Sequence, residues 1–139
     1  MTLLKQENTD LITRAVGETQ IIEVAVTSDL NIGDVTLATV TTQPCLIKSI
    51  IIHANTAAHA DMTTCAVTGG ASKVITFIDA ATATEANLDA IDKQVAWTGA
   101  VRLSATKTIV ITLVGVGANH ADLTVTIEYE ACIAGGYLV

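Results

Sequence analysis

The sequence predicts an all-β protein: a two-sheet antiparallel β-sandwich, jelly-roll-like, with at most one short helix near residues 83–92. Three observations carry this expectation. Thr occurs twenty-two times, in several places alternating with Val and Ile, which suits pleated, half-buried strands. Apolar residues recur at every second position in several stretches, the period of a strand with one buried face. Gly, Asn, Asp and Pro punctuate these stretches into about eight segments, a spacing that favours two packed antiparallel sheets. An immunoglobulin-like Greek key is the alternative sandwich, although the Cys…Trp…Cys pattern of true immunoglobulin domains is absent.

The 139 residues are expected to form one domain over 13–139, preceded by a polar, aperiodic N-terminal arm over 1–12. Residues 19 to 27, TQIIEVAVT, set Ile22, Val24 and Val26 against Glu23 and Ala25 and read as a strand. NIGD at 31 to 34 turns the chain into a second strand, DVTLATVT at 34 to 41. Pro44 then breaks the pattern, since proline cannot donate to a sheet ladder. The third strand, in PCLIKSIIIHAN, is apolar on both sides. Strict alternation assigns Leu46, Ile50 and Ile52 to one face and Ile47 and Ile51 to the other. A second apolar face needs a cover, from this chain or from another subunit.

MTTCAVT at 62 to 68, Gly69-Gly70 and KVITFID at 73 to 79 read as a hairpin. Residues 80 to 94 do not alternate, and Thr82 followed by Glu85 matches a helix capping box, so a short helix or a long crossover loop is expected there. VAWTGAVRLS at 95 to 104 returns to extended structure. KTIVITLV at 107 to 114 directs Ile109, Ile111 and Leu113 inward. DLTVTIEYEACI at 122 to 133 puts Leu123, Val125, Ile127 and Tyr129 on one face, with Thr124, Thr126, Glu128 and Glu130 on the other.

Fourteen Asp and Glu against seven Lys and Arg give a net charge of −7 without a cationic cluster, so nucleic acid is not an expected partner. Four aromatic residues, Phe77, Trp97, Tyr129 and Tyr137, are too few for a stacking groove or a sugar platform. No apolar run has the length of a bilayer span or resembles a secretory leader, so synthesis in the cytoplasm without a signal peptide and no membrane partner are expected. The three cysteines, Cys45, Cys65 and Cys132, sit in apolar strands and are expected as free thiols; a Cys45–Cys65 bridge would require their strands to pair. Trp97 reads as a core or interface anchor, and Tyr137 as a similar one near the C-terminus.

His-Ala-Asp occurs twice, at 59 to 61 and 120 to 122, each time between an apolar strand and a Thr-rich one. The favoured reading is one loop made twice, with Asp hydrogen-bonding backbone donors. The chemical alternative is a metal site of His59, Asp61, His120 and Asp122, because imidazole and carboxylate suit Zn, Fe or Mn. No cofactor and no catalytic residue are expected: phosphate loops and nucleophile elbows are missing, and buried thiols without a cationic neighbour are inert.

The run SKVITFIDAATATEANLDAIDKQVAWTGAVRLSATKTIVITLVGVGANHADLTVTIEYEACIAGGYLV, about half the chain, resembles small β-sandwich virion proteins of tailed bacteriophages, above all head decoration proteins. The likeness is one of texture: Thr/Ala/Val-rich strands, an N-terminal arm and few aromatics. The resemblance implies a virion-surface protein that forms a homotrimer or another symmetric cluster and binds the lattice of a major capsid protein. The expected self-contact includes Leu46, Ile50, Ile52, Trp97 and Tyr137. Other readings are a cellular surface-layer, filament, adhesion or carbohydrate-binding module, and a cupin-like metal-binding protein.

Overall fold

The structure, a computed structural model, describes residues 16–27, 33–58, 61–116 and 122–139. The arm proposed over 1–12 and the first half of the turn at 31–34 lie outside these residues. The strands are β1 (Thr19–Val26), β2 (Gly33–Thr41), β3 (Cys45–Ala54), β4 (Met62–Gly69), β5 (Ile75–Ile78), β6 (Gln94–Leu103), β7 (Thr108–Gly115), β8 (Leu123–Ala131) and β9 (Tyr137–Leu138).

Their pairing is nested. The β4–β5 hairpin continues outward as β3 with β6, β2 with β7 and β1 with β8, all antiparallel. This is one long ribbon with its tip at residues 70–74. The ribbon is also rolled, because β3 pairs with β8 and β4 with β7. Rolling yields a four-stranded sheet ordered β1-β8-β3-β6 and a five-stranded sheet ordered β5-β4-β7-β2-β9, which is the jelly-roll arrangement of eight strands plus a short ninth. The inward side chains of both sheets, among them Ile47, Ile50, Ile52, Ile109, Ile111, Leu113, Leu123 and Ile127, are fully or almost fully buried and form one core.

The strand boundaries follow the alternation in the sequence, with three corrections. First, β3 carries a bulge at Lys48: Ile47 opposes Tyr129 and Ser49 opposes Glu128. One extra residue flips the facing of everything after it. Cys45 and Ile47 therefore share the inner face with Ile50 and Ile52, which are 0% exposed, while Leu46 and Ile51 face outward, half-buried. The expected common face of Leu46, Ile50 and Ile52 does not form, and Ile50 and Ile52 belong to this chain's own core.

Second, the Thr82–Glu85 capping box is not made. The backbone N–H of Thr82 donates to the Asp79 carboxylate at 2.8 Å, so this segment makes a turn, followed by a single 3-10 turn over Glu85–Asn87 without a side-chain cap. Third, the C-terminal residues add β9, which pairs Tyr137 and Leu138 with Thr41 and Val40.

An aromatic contact closes the sandwich on the β5–β6 side. Phe77 and Trp97, one from each sheet, meet edge to face with centroids 4.9 Å apart, a favoured ring geometry. Glycines make room for both rings. A Cβ on Gly69 would lie 2.7 Å from the Phe77 ring, and one on Gly99 2.6 Å from the Trp97 ring. Trp97 is thus a half-buried core anchor in this chain.

The ribbon tip is tied to the outer face of the five-stranded sheet. Lys73 forms an ion pair with Asp34 on β2, and the Thr112 hydroxyl donates to the same carboxylate at 2.7 Å. These partners hold the Asp34 carboxyl below the ordinary aspartate range, the Lys73 hydrogen bond contributing most. A depressed carboxylate pKa supports the folded contact above the unfolded value, and that support is lost as pH falls through the folded value.

Two outcomes are expected. Phe77→Ala lowers stability by about 3 to 5 kcal/mol in denaturant melts; a change within error would mean that the ring contact does not close the sandwich. Acidification below the ordinary aspartate range lowers the amide protection factors, taken relative to the intrinsic exchange rate at each pH, at residues 70–74. Asp34→Asn should remove that pH step, and a step that persists in the variant assigns it elsewhere.

Candidate functional site

At one end of the sandwich the chain crosses between sheets from β1 to β2, β3 to β4, β5 to β6 and β7 to β8, and two of these crossings, β3 to β4 and β7 to β8, meet. These two are the loops with the repeated triplet, and they are joined backbone to backbone. Asn55 N–H donates to the Asp122 carbonyl at 2.8 Å, and Val116 N–H donates to the Asp61 carbonyl at 2.8 Å. A shift of sixty-one residues converts the first bond into the second, just as it converts the first triplet into the second. The strand pairs Ala54 with Leu123 and Gly115 with Met62 obey the same shift. The repeat therefore encodes one crossing made twice, related by a local two-fold that exchanges the sheets.

Side chains reinforce the contact. The Thr56 hydroxyl accepts from Asp122 N–H at 3.1 Å, and the Asn55 amide donates to the Thr124 hydroxyl at 2.8 Å. At Gly115 a Cβ would sit 1.8 Å from the Asp61 carbonyl oxygen, so only glycine permits the approach. Of the four metal candidates, His59 and His120 lie outside the described residues. Asp61 and Asp122 are used through their main-chain carbonyls, and among the described residues no group of three or more His, Cys, Asp or Glu is placed to hold a metal ion.

The outer face of the four-stranded sheet carries a shallow depression of about 400 Å³, lined by Glu23, Ile51, His53, Asn55, Gln94, Thr124 and Thr126. His53 organises it. Its Nδ1 lies 2.9 Å from the Asn55 amide oxygen and its Nε2 3.1 Å from Asp92. A neutral ring donates to one of these oxygens and a protonated ring to both. Nothing in the sequence singles out His53, which is a third polar residue of β3 beside Lys48 and Ser49. The lining offers hydrogen bonds and one carboxylate, and no aromatic face on which a sugar ring would stack.

The remaining candidates separate in space. Leu46 is half-buried on the same outer face as the depression, and Tyr137 lies half-buried on β9 against the core. Glu128 and Glu130 face outward from β8. The cysteines are free thiols. Cys45 and Cys65 lie on strands of different sheets. Burial, with the nearby Cys132 adding to it, pushes the Cys45 thiol up to about 11, and burial pushes Cys65 up to about 12, the opposite of what an activated nucleophile needs. Among the described residues no helix is long and apolar enough to cross a membrane.

No protein-family model matches the chain, and no curated protein matches it. Its fold does match solved structures. It is similar to a chain of the acid-stable capsid of the Helicobacter pylori bacteriophage KHP30, with a TM-score of 0.56 and 13% identity over 90% of this chain and 95% of that one. It is also similar to a chain of the capsid asymmetric unit of cyanophage Pam1, with a TM-score of 0.51 and 12% identity over 82% of this chain and 85% of that one. At these identities the likeness is one of fold: the jelly roll of this chain is shared, nearly end to end, with chains found in two phage capsids.

Gly115→Ala is expected to destabilise the fold by about 3 kcal/mol or more, read as a lowered melting temperature; an unchanged melt would show that the crossings do not touch. In native protein, alkylating reagents should modify Cys132 first and spare Cys45 and Cys65 until denaturant is added. Rapid labelling of Cys65 in the folded state would contradict its burial.

Proposed function

We propose that this chain is a non-enzymatic structural subunit of a virion: a capsid decoration protein that self-associates, as a trimer, and docks on the lattice of the major capsid protein at the virion surface. The observation that carries this reading is the near end-to-end match of its jelly roll to chains of two phage capsids. Coverage is high on both sides of each match, so those chains are of about the same size as this one, as expected for an added subunit.

The physical character of the molecule supports the reading. The ribbon rolls into two sheets over one continuous core, and its thiols are buried or half-buried rather than poised for reaction. Contacts to neighbours would come from the outward Leu46 and Ile51, from the ends of Trp97 and Tyr137 left at the surface, and from residues 1–12 as a docking arm. Symmetric association is the usual way for such a chain to bury a repeated patch.

Light scattering and co-sedimentation with purified capsids test the proposal. The expected result is a trimer mass at micromolar concentration and saturable pelleting with particles. Deleting residues 1–12 should leave the melting temperature unchanged and weaken pelleting. A monomer that stays in the supernatant with every capsid tried would overturn the reading.

A further inference from the structure

The charges on the four-stranded sheet are sorted by strand. β1 and β8 carry Glu23, Glu128 and Glu130 and no cation; β3 and β6 carry Lys48 and Arg102 and no carboxylate. In strand order β1-β8-β3-β6 this makes one half of the sheet acidic and the other basic. The register shows the separation directly, since Glu130 stands beside Leu46 and Leu46 beside Arg102. Among the described residues none of these five side chains enters an ion pair.

The same sheet has long open edges. β1 pairs with β8 alone and β6 with β3 alone among the described residues, which leaves one side of an eight-residue strand and of a ten-residue strand without a ladder partner. The five-stranded sheet ends in the short strands β5 and β9, of four and two residues, and β9 pairs only with Val40 and Thr41 of the nine-residue β2. A long strand edge with unpaired N–H and C=O groups is a template for another chain, and here the opposite edges fit each other. Along the antiparallel order β1-β8-β3-β6, β6 runs opposite to β1. A second copy set beside the first in the same orientation thus brings its β1 antiparallel to the first copy's β6.

We propose that the partner for this face is a second copy of the chain, joined head to tail, with the β1 edge of one subunit pairing with the β6 edge of the next. The contact adds a strand ladder and sets Lys48 and Arg102 of one copy toward Glu23, Glu128 and Glu130 of its neighbour. Pairing like edges about a two-fold axis places carboxylates against carboxylates, or cations against cations, which is unfavourable across a sheet. Head-to-tail contacts close into rings when the rotation allows, and the proposed trimer is one such ring. The inference rests on the reading of the chain as self-associating, and adds which surfaces meet and in what sense.

The test uses two single-cysteine additions in a Cys132→Ser background: Ile21→Cys on β1, at a side chain 63% exposed, and Thr98→Cys on β6. Mixed one to one and treated with a short bismaleimide, they should cross-link to each other, whereas each variant alone should not cross-link to itself. In parallel, Arg102→Glu and Glu130→Lys should each raise the dissociation constant about tenfold or more, and the double variant should recover most of the loss. Self-cross-linking of either variant alone would indicate a two-fold contact and overturn the head-to-tail geometry. An oligomer of unchanged mass with no mixed cross-link would overturn this contact while sparing self-association. A monomer at all concentrations would overturn both.

Discussion

The fold depends on two places where backbone meets backbone at one end of the sandwich. A nested antiparallel ribbon becomes a jelly roll only if it rolls back on itself, so that the turn from β3 to β4 and the turn from β7 to β8, from different parts of the ribbon, lie side by side. Here they are held by the pair of equivalent hydrogen bonds from Asn55 and Val116 to the Asp122 and Asp61 carbonyls. The contact at Gly115 is too close for any side chain. Rolling at this point brings β3 against β8 and β4 against β7, and those pairings complete the two sheets around a common core. Remove the crossing, and the ribbon has apolar residues on one surface with nothing opposite.

Strand order has consequences that strand identity does not. Once β1 and β6 are the edges of one sheet, two carboxylate-bearing strands lie together and two cation-bearing strands lie together. The same rolling leaves β1 and β6 at the edges of this sheet, each paired on one side only among the described residues. A chain with a sorted sheet face and two complementary edges is suited to meeting copies of itself. The thiols and the His53 network contribute packing and surface shape without assembling a reactive group.

Much of the fold was legible in the sequence because β7 and β8 alternate without interruption, so Ile109, Ile111, Leu113, Leu123, Val125 and Ile127 could be assigned to the core from period alone. The face of β3 was not legible. A bulge at Lys48 adds one residue that no local pattern announces, and it exchanges the inner and outer sets on one side of it. Thr82 and Glu85 have the spacing of a helix cap, but the nearer Asp79 carboxylate takes the Thr82 N–H and a turn forms instead. β9 is two residues after Gly135-Gly136, too short to show a period. The repeat of His-Ala-Asp was visible and its meaning as a doubled loop could be read, whereas the charge sorting and the depression around His53 depend on pairings between residues far apart in the chain.

The fold stands or falls on the rolled pairing, and interstrand nuclear Overhauser contacts measure it most directly. The structure requires backbone contacts between Ile52 and Val125 and between Val67 and Ile111, as well as between Val24 and Val125. It requires none of a simple meander, in which β3 would lie beside β4 and β7 beside β8. Observing the first set with the second absent is the predicted result; a β3–β4 ladder in place of β3–β8 would contradict it.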